Sequence, residues 1–276
     1  MNANFITAES LSGTDSSELT QRLRRESHML AIVAHELRAP LTVIELASHL
    51  SGSPHITAVQ RIKGQQRIKR QVKFMSMIIN DLLDMSHVQS GMLTIRPELI
   101  RLEKLADAAI DTVSPFIEAK QQIFAINRND KCATLFADPL RVTQVMVNLL
   151  MNATKFTPAG GHIELTLRGG SHYSGFIVKD SGEGIAPEDL GKLFKMYAQL
   201  KPENGSSRSG LGLGLALSRA MVELHGGSIR ATSAGPGLGT QFIVKIPNQG
   251  PRSPPVIWDP WALWMDSTRT RNATND

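Results

Sequence analysis

His35-Glu36-Leu37-Arg38-Ala39-Pro40-Leu41 places an imidazole beside a carboxylate on a stretch with helical periodicity. Leu30, Val33, Leu37, Leu41, Ile44 and Ser48 recur at spacings of three and four, one face of a helix predicted from about Leu19 to His49. At about 100° per residue, His35 falls roughly 150° from the centre of that stripe and faces outward. An isolated outward histidine is ordinarily solvated surface. The neighbours change that reading: Glu36 can accept from Nδ1–H and fix the tautomer, leaving Nε2 free as a nucleophile. Pro40 removes a backbone donor one turn later and loosens the helix there.

A second group lies on the predicted helix from Asp138 to Phe156, where Asn148 and Asn152 are one turn apart with Lys155 and Phe156 beside them. Read alone they are surface polar residues. Side-chain carbonyls are hard ligands suited to Mg2+, and an adjacent lysine suits phosphate oxygens. Asp180-Ser-Gly182-Glu-Gly184-Ile185 then sets a carboxylate at a strand end before two glycines, and Gly210-Leu211-Gly212-Leu213-Gly214-Leu215 opens a helix. Glycines let backbone N–H groups and a positive helix end approach phosphates. Each glycine motif by itself is weak; an acidic turn reads the same way.

These groups need two kinds of scaffold. Residues 1–17 are Ser-, Thr- and Asn-rich and read as a linker. After the first helix, SGSPHI makes a loop. Ile68, Val72, Met75, Ile79 and Leu82 then form the seam of a second helix that Gly91 can stop. The antiparallel pair has a stripe too long to bury against itself, so two copies forming a four-helix bundle, a homodimer, are expected. From residue 97 strands alternate with helices: apolar alternation at 123–126 and 133–136, the helix from 139 to 155, ELTLRGG, GFIVKD, the helix LALSRAMVELHG and the strand TQFIVKIP. This predicts an α/β sandwich, so the chain as a whole is α+β. The tail from residue 249 contains all three tryptophans, Trp258, Trp261 and Trp264, and sits outside the fold.

Composition adds limits. The 276 residues, 41% hydrophobic, suit two modest domains with tails. The Lys and Arg excess, 30 against 25 acidic residues, is scattered and gives no reason to expect nucleic acid. One cysteine, Cys132, fits a reducing compartment, and no apolar run reaches a membrane-spanning length.

The His35 segment closely resembles the phosphoacceptor box of histidine kinases. In order and spacing, the asparagine helix, DxGxG, GLGLGL and Gly237-Leu-Gly239-Thr240 resemble the nucleotide boxes of the family's ATP domains. The resemblance covers roughly residues 20–247. It implies a phosphotransfer domain over 18–92, an ATP-binding domain over 97–248, and a cytoplasmic kinase that phosphorylates His35 and relays the phosphoryl group to an aspartate of a response regulator. By it, Glu36 orients or deprotonates His35, Asn152 is the principal Mg2+ ligand, Asn148 and Lys155 assist at the phosphates, and Asp180 reads adenine. Residues 186–209 look like the family's F box and lid, with Lys195 and Met196 departing from the usual pattern. The sensory input lies in a separate or missing module. Two departures sharpen the expectation. Ala39 stands where many members carry Thr or Asn, which predicts weak phosphatase activity. Related gyrase and chaperone ATPases carry a Glu where this chain has Asn148; a neutral amide is a poor general base, so direct hydrolysis is disfavoured. A serine kinase sharing the ATP domain would lack the helix pair, and a pseudokinase would not keep every box.

Overall fold

The computed structural model describes residues 31–51 apart from Ile32 and His35, then 56–128, 134–198 and 212–249. His35, Gly210, Leu211, the predicted lid from 199 onward, the 1–17 linker and the tryptophan tail lie outside the described residues. The chain divides into two compact units, with the boundary between Met77 and Ile78.

The first unit contains helix α1, residues 36–51 with 31, 33 and 34 also helical, and the larger part of α2, Ala58–Gln89. A reciprocal cap starts α2: the Thr57 N–H donates to Gln60 Oε1 at 2.9 Å and the Gln60 N–H to Thr57 Oγ1 at 3.2 Å. Gly64 lets α2 approach α1 closely, since a Cβ there would stand 2.9 Å from Ser51 Oγ. Leu41, Leu46, Leu50, Val59, Ile62 and Val72 are exposed along these helices. The sequence placed the end of α2 at Gly91, and Gly91 is left-handed there (φ 67°), with the Met92 N–H donating to the His87 carbonyl at 2.8 Å.

The second unit is a five-stranded sheet in the order β2 (Ile123–Arg128), β4 (His162–Arg168), β5 (Tyr173–Asp180), β7 (Gln241–Pro247), β6 (Ser228–Thr232). Only β2 and β4 are parallel. Ile163, Leu165 and Leu167, then Phe176 and Val178, then Phe242, Val244 and Ile246 alternate as buried residues, the period of a sheet with one covered face. Helices α3 (Leu102–Ala119), α4 (Pro139–Phe156) and α6 (Gly214–Leu224) supply the opposing apolar stripes, and the four-residue α5 (Pro187–Leu190) lies between α4 and α6 in the chain. The expected α/β sandwich is thus present. Four elements differ from expectation. Helix α3 was not anticipated; its stripe Leu102, Leu105, Ala109, Val113, Ile117 tolerates the interior Pro115. Strand β6 was not anticipated either. The alternation near 133–136 forms β3 (Thr134–Ala137), which pairs outside the main sheet with an unforeseen β1 (Glu98–Arg101).

The last turns of α2 belong to this second unit and are tied to α4 by charge. Asp84, buried, accepts from Arg141 Nη1 at 2.7 Å and from Gln144 Nε2 at 2.8 Å. Asp81 shares the site: burial, with Asp84 adding to it and a Gln144 hydrogen bond opposing it, raises its pKa from 3.8 to about 6. A folded-state pKa above the unfolded one gives stability that is complete below about pH 4 and lost as pH rises through about 6. Asp81→Asn is therefore expected to stabilise the unit by about 1–2 kcal/mol at pH 8 and by little at pH 4. Thermal melts at the two pH values test this, and equal shifts at both would refute it.

Candidate nucleotide site

Helix α4 is anchored at both ends, which fixes the side chains between them. At its start Asp138 Oδ1 accepts from the Leu140 and Arg141 N–H groups at 3.0 and 3.2 Å, while Oδ2 accepts from the Arg96 N–H at 2.8 Å. His225, buried just past α6, accepts from the Asp138 N–H through Nε2 at 2.9 Å and donates from Nδ1 to the Met221 carbonyl at 2.7 Å. An N–H donor at Nε2 requires the neutral ring, and burial pushes the His225 pKa below its ordinary value. At the far end Lys120 Nζ donates to the carbonyls of Thr154, Lys155 and Thr157 at 2.8, 2.9 and 3.1 Å. This places a cation against the negative helix end. Gln122 Nε2 adds bonds to Thr154 and Thr157 at 3.0 and 2.7 Å.

The sequence placed Asn148 and Asn152 on one face of α4, and both are half-buried there. Asn148 Nδ2 donates to Ser218 Oγ of α6 at 2.8 Å. Gly214, the first residue of α6, comes so close that a Cβ would collide with Asn148 Oδ1. The N-cap residue Leu213 has no side chain that could occupy the first N–H groups of α6, and a positive helix end suits an anion. Gly212 is left-handed (φ 66°), and its carbonyl accepts from the Tyr197 N–H at 3.0 Å. Leu213 is buried and Leu215 half-buried. The Lys155 ammonium lies 4.7 Å from the Phe156 ring centroid.

Asp180 ends β5 and is 7% exposed. Its Oδ1 accepts from the Gly182 N–H at 2.8 Å and the Thr240 N–H at 3.2 Å, and its own N–H donates to the Thr240 carbonyl at 2.9 Å. One carboxylate oxygen thereby joins two glycine loops that are far apart in sequence. The loops are laced further: the Gly239 N–H donates to the Gly182 carbonyl at 3.1 Å, and the Ile185 N–H to Ser233 Oγ at 3.0 Å, whose hydroxyl donates to the Gly239 carbonyl at 2.7 Å. Gly239, left-handed at φ 74°, has no room for a Cβ, which would strike the Asp180 carbonyl. Gly184 is left-handed and similarly crowded by Gly235. Burial raises the Asp180 pKa while the Gly182 and Thr240 amides oppose that. Phe194 packs edge-on against Phe242, ring centroids 6.5 Å apart.

The structure therefore brings together Asn148, Gly214 and Ser218 at one place, and Asp180, Gly182, Gly184, Gly239 and Thr240 at another. Glu36 is buried on α1. Ser218, Ser233 and His225 went unnoticed in the sequence. Ser218 stands four residues after Gly214, a helical spacing that could have exposed it; His225 and Ser233 carried no local signal. Among the described residues no group of three His, Cys, Asp or Glu side chains could hold a metal ion, and the amide oxygens of Asn152 and Asn148 are the hard donors that α4 offers.

These features define a two-module protein, a helix pair followed by an α/β sandwich with interlocked glycine loops. Residues 25–91 match the model of the His Kinase A (phospho-acceptor) domain, and residues 137–250 that of the histidine kinase-, DNA gyrase B- and HSP90-like ATPase. The chain belongs to the sensor histidine kinases of two-component systems. It is 33% identical over 231 residues to the non-motile and phage-resistance protein of Caulobacter vibrioides, covering 81% of this chain and 27% of that protein. It is 32% identical over 234 residues to the adaptive-response sensory kinase SasA of a Synechococcus species, covering 84% and 60%. The chain thus spans about a quarter of the first of these relatives and 60% of the second, less than two thirds of either. The catalytic domain of the histidine kinase ThkA aligns with a TM-score of 0.50 at 26% identity, over 56% of this chain and 99% of that one. The structure of ThkA with the response regulator protein TrrA shares the fold at 22% identity, TM-score 0.56, over 88% of this chain and 68% of that chain.

Asp180→Asn keeps an acceptor for the Gly182 and Thr240 amides but replaces the second carboxylate oxygen by a donor. Because burial penalises the charged form, the substitution is expected to leave the melting temperature at pH 7.5 unchanged or higher. It should weaken ATP binding by roughly tenfold or more, as removal of a charged acceptor does. Titration calorimetry beside a thermal melt checks both; ATP affinity within twofold of the parent would refute the assignment.

Proposed function

We propose that this chain is an ATP-dependent autokinase that phosphorylates His35 and relays the phosphoryl group to an aspartate of a response regulator receiver domain. The observation that carries the reading is Asp180, whose Oδ1 is spent on two loop amides while no described residue donates to Oδ2. Oδ2 suits the exocyclic amine of adenine. Gly182 and Gly184 admit the base to the backbone, with Phe156, Ile185 and Thr240 completing that end. Gly210, Leu211, Gly212, Leu213, Gly214 and Leu215 lead into α6 at the phosphate end, together with Asn148, Asn152 and Lys155. Asn152, assisted by Asn148, would hold Mg2+, which offsets charge on the phosphate oxygens.

In the transfer step His35 Nε2 attacks the γ-phosphorus in line. The N–P bond forms as the bond to the bridging oxygen breaks, and ADP departs. Glu36 holds the Nδ1 proton so that Nε2 stays the nucleophile. Asn148, a neutral amide, does not activate water, which favours transfer over hydrolysis. The exposed apolar residues of α1 and α2 support a homodimer in which a second copy completes a four-helix bundle. Residues 18–92 form the phosphoacceptor domain in this reading and 97–248 the ATP-binding domain. A cytoplasmic location follows from its need for ATP and a regulator, and no described helix is long and apolar enough to cross a membrane.

Incubation with γ-labelled ATP tests the proposal. Acid-labile, base-stable label is expected on the protein, absent from His35→Gln and reduced roughly a hundredfold in Asn152→Ala. Acid-stable label on Ser or Thr would overturn it. A separate assay addresses Ala39: a phosphorylated regulator should lose its label no faster with this protein than without it. Rapid loss that depends on residues around His35 would contradict the expectation.

A further inference from the structure

We infer that Ser218 is a positioning residue that fixes the amide of Asn148 with its oxygen toward the Mg2+–phosphate group; this rests on the nucleotide reading above. Two helical pairs meet here. Asn148 and Asn152 stand at i and i+4 on α4, and Gly214 and Ser218 at i and i+4 on α6, so each pair shares one face. The faces touch: Ser218 Oγ accepts from Asn148 Nδ2 at 2.8 Å, and Gly214 leaves the space that Asn148 Oδ1 occupies.

An asparagine amide presents an oxygen or an NH2 depending on a half-turn about its last torsion, and the two ends have opposite chemistry. A cation or its bound water needs the oxygen; the NH2 would repel it. Ser218 accepts at the NH2 end, which turns Oδ1 toward Gly214 at the start of α6. It is 2% exposed, so no bulk water competes for its hydroxyl, and it takes the NH2 end of Asn148. Holding one end of a planar group fixes the other. Arg219 and Glu223, the nearest charged residues of α6, pair with each other at 2.7 Å and leave the orientation to the hydroxyl. Second-shell hydrogen bonds of this kind orient ligands and tune metal affinity.

The test measures binding of a fluorescent ATP analogue with and without Mg2+ in the full chain and in Asn148→Ala, Ser218→Ala and Ser218→Thr. Ser218→Ala is expected to raise the Mg2+ concentration for half-maximal binding roughly tenfold, while affinity in EDTA stays within about twofold. Ser218→Thr, which keeps the hydroxyl, should restore most of the Mg2+ dependence. Asn148→Ala should show the same loss, and the double variant no further loss. If Ser218→Ala does not fold, Ser218→Cys, similar in size with a poor acceptor, carries the same comparison. Loss of Mg2+ dependence in Asn148→Ala but not in the Ser218 variants overturns the positioning role alone. Unchanged Mg2+ dependence in Asn148→Ala overturns it together with the reading of Asn148.

Discussion

The nucleotide site is organised by one hydrogen-bonded oxygen, Asp180 Oδ1. A carboxylate at the end of a central strand would ordinarily be solvated; this one is buried and accepts from Gly182 on its own loop and from Thr240 across the sheet. The glycines follow from that closure rather than preceding it. Gly239 must lack a Cβ because the loop that delivers the Thr240 N–H runs against the Asp180 carbonyl, and Gly184 must be left-handed where the first loop passes Gly235. Burial penalises the charge of Asp180, and the two amides return only part of that. A protein selected for stability alone would put a neutral residue there, and this conflict supports reading Asp180 as a candidate functional residue.

Helix α4 carries the other half of the constraint. Its paired asparagines, Asn148 and Asn152, keep their place only if neither end moves. The start is capped by Asp138, which His225 and the Arg96 N–H hold in turn, and the end by Lys120 and Gln122. His225 therefore couples the beginning of α4 to the end of α6, while Ser218 couples their middles. Two helices joined at two points keep a fixed spacing, and that spacing sets the distance between the asparagine amides and the uncapped start of α6. The same helix is tied through Arg141 and Gln144 to Asp84 near the end of α2.

Much of this was legible because the relevant signals are local. The i, i+4 asparagines and the glycine runs are short-range features whose physics does not depend on the rest of the fold. The three principal buried strands were readable from alternation. What could not be read depends on contacts across the sequence. Ser218 looks like any helical serine until Asn148, 70 positions earlier, is placed against it. Ser233 has no periodic signal and acts only by bridging two loops. His225 ends a helix in ordinary fashion and becomes a structural acceptor only once Asp138 is beside it. Helix α3 was hidden by Pro115 and by many alanines, which weaken the contrast on which periodicity relies. Strand β1 is four residues long and pairs only with β3, too short for alternation to identify.

Geometry and electrostatics also bear on why such a site needs an external nucleophile. The described groups around the phosphate end are amides, backbone N–H donors and a lysine, which stabilise charge and move no proton. The buried carboxylate that could accept one, Asp180, is committed by two hydrogen bonds at the other end of the site. Asn148 and Asn152, the polar pair that α4 offers, are neutral amides and poor general bases. In the proposed transfer, the consecutive residues His35 and Glu36 would supply the nucleophile and the carboxylate that holds its other ring proton.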